Sequence, residues 1–271
     1  MNEPNYLEIN KQSWNNRVEH HFKSDFYDVE GFLLGNTSLN EIELTLLGDI
    51  RGKSILHLQC HFGQDTISLA RSGAKVTGVD LADKAIDTAN KLAEMAKTEA
   101  AFICSDIYDL PNHLTDQFDI VFTSYGTIGW LPDLDKWANV VSTFLKPNGK
   151  FIFVEFHPVV WMFDHGFEKI EYNYFNSGPI IETTNGTYAD KEAEITQQEI
   201  SWNHSMSEVI NSLLKNGLEI NSLDEFDYSP YNCFNRTIEV EPKKYRIEHL
   251  DNKIPMVYAI EATKKTNHNN L

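Results

Sequence analysis

The chain is expected to fold as an α/β protein built on a parallel sheet, and three observations carry that expectation. Between Gly52 and about Glu155, short apolar runs alternate with helical segments, a pattern that closes into parallel strands joined by right-handed crossovers. Ser54–Ala70 reads as a buried strand that passes through a turn at Gly63 into a helix. Free amides at such a helix start face the carboxyl end of the strand, where open α/β sheets bind nucleotide-like ligands. Asp80 closes the second strand about 20 residues beyond that turn, the position of an acid that accepts both hydroxyls of a ribose.

Taken in order, residues from about Asn5 to Phe22 predict a polar helix with Trp14 and Val18 on one face and Arg17 beside them, a lid or brace. Gly31, Gly35 and Asn36-Thr37-Ser38 interrupt it, and a second helix, Leu39–Leu47, ends near Gly48. The alternating region then gives strands Ser54–Leu58, Lys75–Asp80, Ala101–Cys104, Phe118–Thr123 and Lys150–Glu155, with helices Asp65–Arg71, Lys84–Ala96 and Asp135–Phe144 between them. Asp83 is the expected cap of the helix after the second strand. Residues from about Phe156 to Asn203 break the alternation with aromatics and short polar runs, and Thr184-Asn185-Gly186-Thr187 signals a hairpin. A helix at Ser207–Lys215, a strand at Leu218–Phe226 and a last strand at Met256–Ala262 follow, with a frayed tail from Lys264 to Asn270. The expected organisation is one domain over 1–271: a helical lid (1–50), a binding core (51–155), a strand-rich cap (156–205) and a segment completing the sheet (206–271).

A net charge of −17 argues against nucleic-acid partners, which need a clustered basic face. Cys60, Cys104 and Cys233 are far apart and form no CxxC pair, which suits a reducing compartment and predicts a cytoplasmic protein without a zinc site. Met1–Tyr6 has no signal-peptide character, and no apolar run approaches the roughly 18 residues of a membrane span. His57 and His61 are four apart but lie on a strand and a turn, without the one-face helical geometry of a paired-histidine metal site.

Asp106, just past the third strand, is placed to accept from an adenine amino group while Ile107 or Tyr108 packs the ring; Asp109 reads as a solvated loop acid. These marks together resemble the class I S-adenosylmethionine-dependent methyltransferases, over roughly Gly52 to Glu155. His57-Leu58-Gln59-Cys60-His61-Phe62-Gly63 occupies that family's first motif, followed by Asp80, Ser105-Asp106 and Phe118–Phe122. Leu145-Lys146-Pro147-Asn148-Gly149-Lys150-Phe151 matches the family's turn into its fifth strand. The first motif departs from the usual pattern, with His57 where an acid is common and Gln59 and His61 at two glycine positions; Leu-Gln-Cys-His-Phe-Gly is similar to a variant in a small-molecule subgroup. His57 is read as a core histidine.

The resemblance implies a Rossmann-like seven-stranded sheet whose last strand is antiparallel, and S-adenosylmethionine as cofactor with S-adenosylhomocysteine as product. It sets the cofactor against Gln59, Cys60, His61, Gly63, Gln64, Asp80, Leu81, Asp106, Ile107 and Ser124-Tyr125-Gly126, with Trp14 and Arg17 closing over it. Gln59 or His61 would hydrogen-bond the methionine carboxylate or amine. Tyr125 and Trp130 would meet the sulfonium with their ring faces, and Trp130, His157 and Trp161 would line the acceptor site. His157, just beyond the fifth strand, is the expected general base, with Glu155 second; a structural turn residue before Pro158 is an equal reading.

The expected activity is methyl transfer to a small molecule within the aromatic cap. Two alternatives stand beside it. One is a cofactor-binding regulatory protein without turnover, motivated by the altered first motif; the other is a nicotinamide-dependent oxidoreductase, weakened by the absence of a complete GxGxxG. Nothing in the sequence selects the acceptor atom or an oligomeric state.

Overall fold

The structure, a computed structural model, describes residues 5–266. The chain opens with helices α1 (Tyr6–Lys23), α2 (Val29–Leu33) and α3 (Glu41–Leu47). It then alternates β1 (Ser54–Leu58), α4 (Gln64–Arg71), β2 (Lys75–Asp80), α5 (Asp83–Met95), β3 (Ala101–Cys104), β4 (Phe118–Ser124), α6 (Leu134–Phe144) and β5 (Leu145–Phe156). An inserted hairpin, β6 (Ile180–Asn185) and β7 (Thr196–Ser201), precedes α7 (Met206–Lys215), β8 (Leu218–Phe226), the hairpin of β9 (Thr237–Glu241) and β10 (Lys244–Ile247), and β11 (Val257–Lys264).

Seven strands form the main sheet in the order β3-β2-β1-β4-β5-β11-β8. The pairs from β3 to β5 are parallel, and β11 runs antiparallel to both β5 and β8. This is the expected seven-stranded arrangement with its last strand reversed. Both faces are covered, so the alternation of side chains along each strand feeds two apolar layers rather than one. Leu56, Leu58, Phe151 and Phe153 face the layer closed by Trp137 of α6 and Val209 and Leu213 of α7. Ile55, Phe122 and Ile152 face the other, with Leu47 of α3 and Leu69 of α4.

The Leu145–Phe151 motif has a structural explanation. Phe118 pairs with Leu145 but Ile120 already pairs with Lys150, so residues 146–149 bulge out of the ladder, with Asn148 in the left-handed region at φ 61°. Lys146 Nζ reaches back to Asp119 Oδ1 at 2.9 Å, and Asp119 Oδ2 accepts from the amide and hydroxyl of Ser54, each at 2.8 Å. Partial burial pushes the Asp119 carboxyl up, but these donors outweigh it and hold it at about 2. Its stabilising contribution is therefore fully present above the ordinary Asp value of 3.8 and is lost as pH falls toward about 2. Melting temperature is expected to drop more steeply between about pH 5 and pH 2 in the wild type than in Asp119→Ala; parallel pH profiles would remove this role.

Several elements differ from the sequence expectations. The interruption around Gly31 holds a one-turn helix, α2, because Asp28 accepts from Gly31 N at 3.0 Å and Phe32 is buried. Asp83 does not cap α5: Ala82 holds that position, its amide bonded to Asp80, while Asp83 turns to Lys11 and Asn15 of α1. The Thr184–Thr187 segment is not a tight turn. β6 and β7 pair from Ile180–Ser201 to Asn185–Thr196, and the connection runs through residues 186–195, folded on itself by Thr187 Oγ1 accepting from Ala189 and Asp190. The β9–β10 hairpin was not read from the sequence at all. Lys264 belongs to β11 and the Lys265 amide bonds Gly217, so the tail is ordered there; 267–270, like Met1–Pro4, lie outside the described residues.

Candidate active site

Three backbone segments meet at the carboxyl ends of β1, β2 and β4. The first is the turn from β1 into α4, where Gln59, His61 and Gly63 have φ of 55°, 49° and 80°. Left-handed backbone costs a non-glycine residue about 1–2 kcal/mol, so Gln59 and His61 retain a glycine-type path at an energetic cost. Asp80, at the end of β2, secures this turn: Oδ2 accepts from His61 N at 2.8 Å and Oδ1 from Ala82 N at 2.9 Å. Burial raises its carboxyl to about 6 against the lowering effect of those amides.

Gly63 is required by packing. A Cβ there would lie 2.7 Å from the Phe102 ring and 3.0 Å from Ala89 Cβ. Gly63→Ala is expected to lose on the order of 2–4 kcal/mol from this overlap plus backbone strain, read from the urea midpoint. A loss below about 1 kcal/mol would mean that Phe102 swings aside.

The second segment is the roof. α1 is stitched to β7 by Asn10, which donates to Ile200 O at 2.8 Å and accepts from Ile200 N at 2.9 Å. Arg17 forms a buried ion pair with Glu199 and lies over the rings of Trp14 and Trp130, 4.9 and 5.7 Å from their centroids. Burial lowers the guanidinium to about 10. Trp14 meets His61 and Trp130 edge-on at 5.3 and 5.4 Å, and His21 Nδ1 is 2.9 Å from His61 Nε2. Burial, then the Arg17 charge, lowers His61 to about 3 and keeps it neutral. Thus Trp14, Arg17, His61 and Trp130, distant in sequence, form one cluster.

The third segment follows β4. Ser124 donates to Asp65 at 3.3 Å, and Tyr125 and Gly126 are both left-handed, at φ 46° and 71°. Glu155 holds this turn, accepting from the amides of Gly126, Thr127, Ile128 and Phe156 and from the Thr127 hydroxyl. With its acceptor capacity spent on backbone, Glu155 is a clamp and not the second-choice base. The Tyr125 hydroxyl donates to Glu43 Oε2 at 2.8 Å.

His157 is withdrawn from this cluster: its Nδ1 accepts from Val159 N at 3.2 Å, its Nε2 is 2.8 Å from Glu225, and its ring packs against Tyr258. The Val159 amide on Nδ1 and the Tyr258 ring packed against it give the imidazole the geometry of the turn reading. Trp161 is 41% exposed and packs on Phe156 and Phe234 instead of Trp130. Ile107 is buried in the sheet layer, Asp106 and Leu81 are half-buried at the strand ends, and Tyr108 is bonded to the Asp133 backbone. Cys60 is buried, its amide bonded to Val79 O, and Gln64 donates to Tyr27 O. His57 bonds Thr66 at 2.8 Å inside the core, as read. Glu43, Asp65, Tyr231 and Glu199 were missed. Asn40-x-x-Glu43 was legible as a capping box, but its burial was not.

The architecture is that of class I methyltransferases. Residues 55–149 match the family model described as "Methyltransferase domain". Among curated proteins the chain is similar to the ubiquinone biosynthesis O-methyltransferase of Coxiella burnetii, 33% identical over 104 residues, covering 38% of this chain and 44% of that protein. Among solved structures, a putative S-adenosylmethionine-dependent methyltransferase from Listeria monocytogenes superposes with a TM-score of 0.59 at 23% identity, covering 83% of this chain and 95% of the other. The geranyl diphosphate C-methyltransferase of Streptomyces coelicolor, solved with S-adenosylhomocysteine, gives 0.59 at 16% identity over 97% and 99%. The match spans less than half the length of the first of these relatives.

Proposed function

We propose that the chain transfers the methyl group of S-adenosylmethionine to a small-molecule nucleophile. The observation that carries this reading is the Asp80 carboxylate, fixed under the His61 amide on a sheet of methyltransferase order. A carboxylate has about four acceptor positions; the His61 and Ala82 amides take one on each oxygen, with the Leu81 amide close by, and the capacity that remains is assigned to the ribose hydroxyls.

The buried polar atoms of the β1–α4 turn and its roof that lack a hydrogen-bond partner among the described residues include Gln59 Oε1, His61 Nδ1 and Arg17 Nε, beside His21 Nε2 and Gln197 Oε1. An acceptor, an imidazole nitrogen and a guanidinium donor suit the ammonium and carboxylate of an amino acid, so the residues fit the cofactor's methionine part. When bound, the cofactor supplies an electrophilic methyl on a cationic sulfur. The chain's own contribution is to align the acceptor with that methyl in a dry site, where proximity is worth roughly 7–11 kcal/mol.

A small acceptor is favoured by the roof of α1 and β7, stitched by Asn10, and by the aromatic character of the turn after β4, where Tyr125 packs on Tyr231 and Phe156. The Coxiella relative is named as an O-methyltransferase of ubiquinone biosynthesis, which adds an oxygen nucleophile as a candidate acceptor class. Among the described residues no helix is long and apolar enough to cross a membrane, and the separated cysteines suit the cytoplasm.

The test is calorimetric titration with S-adenosylmethionine and with S-adenosylhomocysteine, followed by transfer of labelled methyl to an acceptor panel. Micromolar binding of both with labelled product is the expected result. No binding to a folded protein would overturn the reading, and binding without transfer to any acceptor would favour the regulatory alternative.

A further inference from the structure

Glu43 is fully buried on α3, yet its carboxylate has no cationic partner among the described residues. Oε1 accepts from Asn40 N at 2.6 Å and Asn40 Nδ2 at 3.1 Å, and Oε2 from the Tyr125 hydroxyl at 2.8 Å. Its electrostatic neighbours are a second carboxylate, Asp65 of α4, and the phenols of Tyr125 and Tyr231, the latter edge-on to Tyr125 at 5.1 Å. A helix cap alone does not call for this: the same bonds at a surface would avoid the cost of burying a charge. Tyr125 meanwhile sits in left-handed backbone directly after β4, where Glu155 fixes the turn and Ser124 reaches Asp65. Strain held in place at a ligand-facing strand end is a functional signature.

We propose that Glu43, acting through the Tyr125 hydroxyl, is the proton acceptor for the methyl-accepting nucleophile, an inference that rests on the methyltransferase reading above. As the bond from the nucleophile to the methyl carbon forms, the sulfur–methyl bond breaks with its electron pair staying on sulfur. The nucleophile's proton passes to the Tyr125 oxygen while the Tyr125 proton passes to Glu43 Oε2. The positive charge of the sulfonium and the negative charge of Glu43 disappear together, leaving a neutral thioether, a methylated product and a neutral acid. The acceptor class is accordingly one whose nucleophilic atom carries a proton at neutral pH, such as a phenol or an ammonium group. Burial, then the Asp65 charge, push the Glu43 carboxyl up to about 7, against the Asn40 and Tyr125 bonds that lower it. It is therefore poised to exchange a proton at neutral pH.

The test needs no acceptor. S-adenosylmethionine carries a positive sulfonium and S-adenosylhomocysteine does not, so only the former favours ionised Glu43. Each is titrated calorimetrically into the full chain near pH 7 in phosphate and in Tris, whose ionisation heats differ. The expected result is an extra release on the order of half a proton for the sulfonium ligand. The excess should vanish in Glu43→Gln, which keeps the side-chain oxygen for capping. In Tyr125→Phe it should persist with its pH midpoint moved upward, because the carboxylate loses a stabilising donor. Equal proton release for both ligands in the wild type would overturn the inference alone. An excess that survives in Glu43→Gln would assign it to Asp65, and an unmoved midpoint in Tyr125→Phe would remove the relay. If neither ligand binds, the cofactor reading fails and the inference fails with it.

Discussion

Asp80→Ala is expected to weaken S-adenosylmethionine binding on the order of a hundred- to ten-thousand-fold. Two charge-assisted hydrogen bonds to ribose hydroxyls, each worth about 1.5–3 kcal/mol, are lost, and every 1.4 kcal/mol is tenfold in affinity. The His61 amide also loses its acceptor, so the turn that presents Gln59 and His61 loosens. The wild type should show a matching pH dependence. Because the folded Asp80 carboxyl is raised to about 6, affinity should be constant above about pH 7 and fall as pH drops through 6, where the carboxylate gains a proton and ceases to accept from both hydroxyls. Asp83→Ala is the control, since Asp83 is exposed and, among the described residues, turns to Lys11 and Asn15 of α1. Undiminished affinity in folded Asp80→Ala would reject the ribose assignment.

Glu155→Ala is expected to be the most destabilising substitution at the site. It leaves the amides of Gly126, Thr127, Ile128 and Phe156 without their acceptor in the interior. A buried donor left unsatisfied costs about 1–3 kcal/mol, so the loss should be on the order of 4 kcal/mol or more even if water replaces part of the carboxylate. The left-handed pair Tyr125-Gly126 would relax with it, and methyl transfer should be lost even where a stabilising ligand restores folding. Glu155→Gln should fall between, since its amide group opposes N–H donors. Urea denaturation of the three proteins orders these outcomes; a loss under about 1 kcal/mol in Glu155→Ala would show that the turn is held by other contacts.

Positions 59 and 61 were legible in the sequence in a way that 43 and 155 were not. Gln59 and His61 lie inside a contiguous strand–turn–helix pattern, so their location followed from periodicity and one glycine. Asp80 followed from a fixed offset along the same chain. His157 stayed open between two readings because its offset from β5 suits either, whereas its orientation is set by Glu225 and Tyr258, which come from β8 and β11. Glu155 was misread because nothing local reveals that a carboxylate will meet a row of amides from a neighbouring strand end.

The sequence by itself determined the α/β class, the bounds of nearly every strand in the core and the turn at which a nucleotide-like ligand is expected. Those features arise from short-range periodicity and backbone preference, which are written locally. Only the tertiary structure decided which polar side chains face one another. The Glu43–Tyr125 pair spans 82 residues, Arg17 reaches Glu199 across the inserted hairpin, and Asp119 is bonded by Lys146 and Ser54. Such partners are chosen by the packing of two apolar layers on a twisted sheet. The cost of burying a polar group without a partner then fixes the pairs that the packing allows.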